Sequence, residues 1–494
     1  MFKCYNVEAG YPASTILTII YTLIAMKRRS FIQQSLITAG GLALTFKSNF
    51  LYALSKNDAI AGKVTAGGKP LANVMVTDGF SVVKTDANGN YKINPADNAQ
   101  FVYVSIPAGY EIPHEKNLAK FYYAIKNSSY FDFELVPLKK NDDKHAFILW
   151  ADPQVKNDKD VQQMMDTSVP DVKKLLKSMP GELVHGICVG DLVWDNHALF
   201  YDYNKAVNDM GIPFFQALGN HDEDYREGGD ETSDHTFKSH YGPTYYSFNR
   251  GKAHYVVIDN VRYLGVDRNY DGWITDQQLS WLKKDLELVD KDALLIVSLH
   301  MPVHNEVKNN KELYALMANF KNAHIMSGHT HYHRNVITDH IFEHNHGTVC
   351  GAWWTGPICE DGTPRGYGVY HVDGNQLKWY YKSTGEDKSY QMALFTDKLT
   401  NQNRVIANVW NWDPEWKVEY WADGQPKGEM ENQKAFDPLA VQLYLGDQLP
   451  AKRTFAEPRK TDHIFVAHVE PGVKKVKVVA TDRFGDKYES EVKV

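Results

Sequence analysis

A chain of 494 residues is too long for one ordinary hydrophobic core, so two to four domains are expected. With 43% hydrophobic and 23% charged residues and no low-complexity tract, it reads as a globular protein and not as a disordered or fibrous one. A net charge of −7, from 54 basic against 61 acidic residues, leaves no general footprint for a nucleic-acid polymer, which is not the expected partner.

From Met26 the chain reads as an export signal: the pair Arg28-Arg29, then Phe31, then an apolar stretch with small residues. The Arg-Arg-x-Phe core resembles a twin-arginine signal. The run from Ser35 to Phe46 includes Gly40 and Gly41 and falls short of the ~20 apolar residues that span a bilayer. A second apolar run, Ile16 to Ala25, precedes it and reads as an extension upstream of a true start at Met26. If kept uncleaved, the two runs would favour membrane association. Residues 1–57 are therefore expected to be signal and leader, and the protein to be exported, periplasmic or at the cell surface.

Residues 58–140 read as an all-β sandwich domain. Short alternating runs such as AGKVTA and FVYVSIP are separated by turn chemistry at Gly67-Gly68 and Asp86-Ala87-Asn88-Gly89. Residues 141–345 change character. Six continuous apolar runs (146–151, 182–189, 213–218, 254–259, 293–299 and 323–327) suit strands buried on both faces, with helical patterns between them. The clearest helix begins at Thr275, with Gln278 placed for a capping box. The expectation is a layered α/β domain, sheets sandwiched by helices. Residues 346–494 return to short, aromatic-rich strands and predict a second β-rich, sandwich-like domain. Of four cysteines, Cys188 lies in an apolar run and suits a buried thiol, while Cys350 and Cys359 are the one pair that could bridge.

The chemistry stands where the middle strands end. ILWA runs into Asp152-Pro153-Gln154, ICV into Gly190-Asp191, FFQAL into Gly219-Asn220-His221-Asp222, LIVSL into His300, and HIMS into Gly328-His329-Thr330-His331. Open α/β sheets place ligand sites at such C-terminal strand ends. One polar residue there is ordinarily a cap or turn residue, and a lone histidine ordinarily packs in a core; five such ends together exceed turn preference. Carboxylates, imidazoles and amides suit a pair of divalent cations such as Mn²⁺, Fe or Zn²⁺.

The ordered motifs DPQ, GD, GNHD, H and GHTH, within residues 144–335, resemble the calcineurin-like metallophosphoesterase family, in a bacterial subgroup with β domains at both ends. The resemblance implies hydrolysis of phosphate mono- or diesters by a metal-bound hydroxide at a dinuclear site. It implies one metal held by Asp152, Gln154, Asp191 and His331, and another by Asp191, Asn220, His300 and His329. His221 would orient the phosphate or protonate the leaving alkoxide, with Asp222 positioning it. Gln154 departs from the family's histidine; its neutral, harder amide oxygen favours Mn or Fe over Zn. That departure also supports the rival reading, a catalytically impaired surface module binding glycan or protein. Tyr225, His240, Tyr245 and Tyr246, and beyond them Trp353, Trp354 and Arg365, are the residues expected to border the cleft.

Overall fold

All six apolar runs of the middle region form strands in the computed structural model, which describes residues 59–126, 128–396, 403–445 and 456–494. The expected signal over residues 1–57 lies outside the described residues. Among these residues no helix is long and apolar enough to cross a membrane.

Lys144–Trp150, Val184–Cys188 and Phe214–Gln216 run parallel in one sheet. Ala253–Val257, Leu294–Ser298 and Asn322–Ser327 run parallel in a second. The two sheets meet face to face. Phe147, Leu149, Ile187 and Phe215 of the first join Tyr255, Val257, Ile296 and Met326 of the second in one buried core. Each such side chain, taken fully out of water, contributes about 1.5–3 kcal/mol. The outer face of the first sheet is covered by helices Asp158–Asp166, Ser168–Lys177 and Phe200–Met210, and that of the second by Asp276–Leu286 and Asn310–Met317. This is the expected layered α/β architecture.

The first sheet reaches beyond the boundaries expected at 140 and 345. Gly366–Asp373 pairs antiparallel with Lys144–Trp150, with Gln376–Ser383 outside it, and short strands Leu118–Ala119 and His114–Glu115 close the other side. The parallel strands would otherwise present unpaired backbone N–H and C=O groups at both edges. The flanking regions are all-β. N-terminally, one four-stranded sheet is built on Ile60–Ala66 and another on Met75–Thr77 and Phe101–Val104. C-terminally, two four-stranded sheets enclose Val418, Phe465, Val478 and their neighbours.

Thr275 does cap the helix Asp276–Leu286, its hydroxyl accepting from the Gln278 N–H at 3.3 Å. Gln278 does not complete the box; its side chain turns inward and bonds both backbone groups of Asp259. Cys188, Cys350 and Cys359 are buried free thiols, so the Cys350–Cys359 bridge is not formed.

The helix Ser168–Lys177 is tied to the added strands by a buried ion pair. Lys382 Nζ donates to both Asp171 oxygens at 2.9 and 2.8 Å, and the Tyr367 hydroxyl and Gly385 N–H donate to the same carboxylate. Removing one partner strands a buried charge. Asp171→Ala is expected to destabilise the protein by about 3–5 kcal/mol in urea denaturation, and the paired apolar replacement Asp171→Leu/Lys382→Met by less. Equal losses would mean that the charges contribute only as volume.

Candidate metal centre

Two sheets contribute to one cluster. Asp152 and Gln154 follow Lys144–Trp150, Asp191 follows Val184–Cys188, and Asn220 and His221 follow Phe214–Gln216; His300 follows Leu294–Ser298, and His329 and His331 follow Asn322–Ser327. The backbone is bent to bring them together. Asp152, Gln154, Asp191, His329 and His331 all have positive φ, at 50, 43, 52, 69 and 53°. Such a conformation costs of order 1–3 kcal/mol at a non-glycine residue and persists only where its surroundings impose it. The glycines beside them leave necessary room. A Cβ on Gly219 would sit 2.1 Å from the Asp191 nitrogen, and one on Gly328 would sit 2.6 Å from Asp152 Oδ2.

The ligand atoms of Asp191, His300 and His329 lie within 4.8 Å of one another. His300 Nδ1 is 2.8 Å from the Val189 carbonyl oxygen, which can only accept, so this nitrogen carries a proton. His300 Nε2 therefore faces Asn220 Oδ1 and His329 Nδ1, each at 3.1 Å, and Asp191 Oδ1 at 3.3 Å. The other nitrogen of His329 lies 3.3 Å from Glu306 Oε2. On the opposite side of Asp191, Gln154 Nε2 donates to Oδ2 at 2.8 Å, leaving Gln154 Oε1 buried with no hydrogen-bond partner. Asp152 accepts from the His329 N–H at 2.9 Å and lies 3.6 Å from His331 Nε2. All seven expected ligand residues are thus gathered around Asp191.

Asp222 is a correction. It does not position the His221 ring but accepts from the backbone N–H groups of Leu192, Val193 and Gly219 at 2.9–3.2 Å, clamping the loops that carry Asp191 and Asn220. A tight 3₁₀ turn over Asn220–Asp222 sends consecutive side chains in different directions. The partner of His221 is Asp195, whose Oδ1 lies 2.8 Å from Nδ1; Arg268 reaches both. Sequence reading missed Asp195, Arg268 and Glu306. The only signal for Asp195 was its place in the loop after Gly190-Asp191; the other two carry none. Of the residues expected to border the cleft, Trp353 stacks on His331 at 4.3 Å between centroids and Tyr225 bonds the Asn220 carbonyl. Tyr245 packs on Trp281, Tyr246 is buried, and His240 lies against Phe200 and Tyr201. Trp354 donates to the Pro153 carbonyl, and Arg365 lies over Trp354.

Three family models match the chain: N terminal of calcineurin-like phosphoesterase over residues 58–138, calcineurin-like phosphoesterase over 123–333, and C terminal of calcineurin-like phosphoesterase over 343–488. Among solved structures, a dimetal phosphatase from Danio rerio is 12% identical, with 49% of this chain and 97% of that chain covered at a TM-score of 0.37. A purple acid phosphatase from yellow lupin (Lupinus luteus) seeds is 13% identical, covering 63% of this chain and 67% of its own, also at 0.37. At these TM-scores the likenesses carry no weight for function. No curated protein matches the chain.

The cluster calls for positive charge. Burial alone would strip His300 of its extra proton, but Asp191 outweighs it and raises the imidazole to about 10. Burial pushes Asp152 up to about 8, with His300 opposing and Asp191 adding to the rise. Burial also raises Glu223, beside the site, to about 10. Above pH 7 the unfolded chain has released these protons while the folded chain retains them, so stability falls as pH rises. Chelator-treated protein is expected to lose urea resistance progressively from pH 7 to about 10. A midpoint that stayed level or rose across that window would contradict the assignment.

Proposed function

Because this chain belongs to the calcineurin-like phosphoesterase family, we propose that it hydrolyses phosphate mono- or diesters at a dinuclear metal site. The observation that carries the reading is the convergence of buried electron-pair donors on Asp191. His300 Nε2 is ringed by Asn220 Oδ1, Asp191 Oδ1 and His329 Nδ1, a place that a proton or a cation must fill, and Gln154 Oε1 has no donor to satisfy it. Cations fit such a donor set better than any side chain nearby. One would be held by Asp152, Gln154, Asp191 and His331, the other by Asp191, Asn220, His300 and His329. Oxygen donors are prominent in the first set, which favours Mn or Fe over Zn. When bound, two such ions neutralise phosphate charge and acidify a water.

The surrounding residues support the same chemistry. Glu306 fixes the His329 ring by accepting its Nε2–H, leaving Nδ1 for the cluster. Trp353 covers one face of His331 and excludes water from it. Burial opposes a charge on His221, but Asp191 and Asp195 outweigh it and raise the group. With Nδ1 committed to Asp195, Nε2 is the atom that gives its proton to the departing alkoxide. Export from the cytoplasm is part of the proposal and rests on Arg28, Arg29 and Phe31 with the apolar run behind them.

Protein stripped and reloaded with Mn²⁺ or Fe²⁺ is expected to hydrolyse an aryl phosphate mono- or diester, with Asp191→Ala inactive. Turnover that survives in Asp191→Ala, or none with any metal in folded wild type, would sink the reading. His221→Asn is expected to lower kcat on an alkyl ester by about 10²–10⁴-fold, and much less on the aryl ester, whose leaving group departs without a proton. Equal losses on both esters would show that His221 serves only to bind.

A further inference from the structure

Near His221 lies a cavity of about 340 Å³, which the roles assigned above leave unused. Asp195, which holds His221 Nδ1, and Arg268, which pairs with Asp195, are also walls of this cavity. The cavity therefore adjoins the Nδ1 edge of His221, one ring width from the Nε2 that protonates the leaving group. We propose that this cavity is the leaving-group subsite and that it takes a polyhydroxylated alcohol, a sugar or polyol, in place of an alkyl chain. The inference rests on the phosphoester-hydrolase reading above.

The walls decide the class. Glu223, Arg226, Glu227 and Arg268 present carboxyl and guanidinium groups, and the lining residues include no aliphatic side chain and only two rings, Tyr225 and His197. Glu223 is 2% exposed, and its Oε2 has no hydrogen-bond partner. A buried polar atom of that kind is costly unless a ligand satisfies it. Glu227 and Arg226 are exposed and form no ion pair among the described residues, so both are available to hydroxyl groups. Arg226 is presented by a left-handed backbone with φ of 73°, its N–H bonded to the Tyr263 hydroxyl at 3.1 Å. Tyr225 is anchored through its hydroxyl to the Asn220 carbonyl and has the Arg268 guanidinium 5.5 Å from its ring centroid. An alkyl chain entering here would strip water from carboxyl and guanidinium groups and return no hydrogen bond. A polyol exchanges those waters for its own hydroxyls. Opposite charges along the walls also leave no single sign that would select a second anionic group: Asp195 and Glu227 stand against Arg226 and Arg268, and Asp224 is paired with His197.

The test offers glucose 6-phosphate and n-hexyl phosphate as competitors against turnover of whichever aryl ester the metal-loaded enzyme cleaves. Affinity is then read whether or not the competitor is itself hydrolysed. The sugar phosphate is expected to inhibit at a concentration about tenfold lower or better, as one or two gained hydrogen bonds require. Arg226→Ala and Glu227→Ala, at exposed positions outside the catalytic machinery, are expected to bring the two competitors close to parity while aryl-ester turnover stays unchanged. Parity in wild type, or preference for hexyl phosphate, overturns the subsite and leaves the hydrolase standing. Absence of any aryl-ester turnover removes the hydrolase and the subsite together. A preference that survives both substitutions overturns the assignment to this cavity.

Discussion

The structure turns on one electrostatic constraint: lone pairs from two sheets are buried against each other around the carboxylate of Asp191. Burial and His300 act on that carboxylate in opposite directions, and the positive groups around it prevail, holding it well below the usual range. Neither sheet could maintain such a cluster alone. The first supplies the carboxylates and amides, the second the imidazoles, and the core of Phe147, Leu149, Tyr255 and Ile296 fixes one against the other. Strain follows from the same constraint. Five ligand residues in the left-handed region are held by tight neighbours, such as the Gly219 and Gly328 contacts that leave no room for a methyl group.

The surrounding framework keeps that arrangement from relaxing. Asp222 draws together the loops after two strands by accepting three backbone N–H groups. Beyond the last motif, the segment carrying Trp353 is held from the C-terminal β region. Asp361 accepts from the His333 N–H and lies 3.0 Å from His463 Nε2, whose Nδ1 is bound to Asn408. Arg459 pairs with Glu360 at 3.4 Å, and the Glu360 N–H reaches the His331 carbonyl. These contacts give the C-terminal region a physical part in setting the GHTH loop.

Much of this was legible in the sequence because two independent signals coincided. Continuous apolar runs marked doubly buried strands, and a polar residue, beside glycine at three of the five, marked each end that mattered. What was not legible depended on tertiary approach. Glu306 and Arg268 come from loops with no period of their own, and nothing in their neighbours announces that they meet His329 and His221. Asp222 was misread because adjacency along the chain was taken for adjacency in space. The histidines at 333, 344 and 346, outside the ligand set, are buried, and nothing in the sequence around them announces it. Burial, joined by neighbouring basic groups, holds them below the usual imidazole range. The strands over 366–383 read as one more short, aromatic-rich β pair of the C-terminal region, so their union with the middle sheet could not be seen from pattern alone.

The most direct test of the central claim is the metal content of the folded protein, measured by elemental analysis after reloading and removal of free ion. The donors around Asp191 divide into two sets that share it, so the account predicts two divalent ions per chain in wild type and loss of both in Asp191→Ala. A wild-type protein that holds one ion or none, while folded and freely supplied with metal, would contradict it.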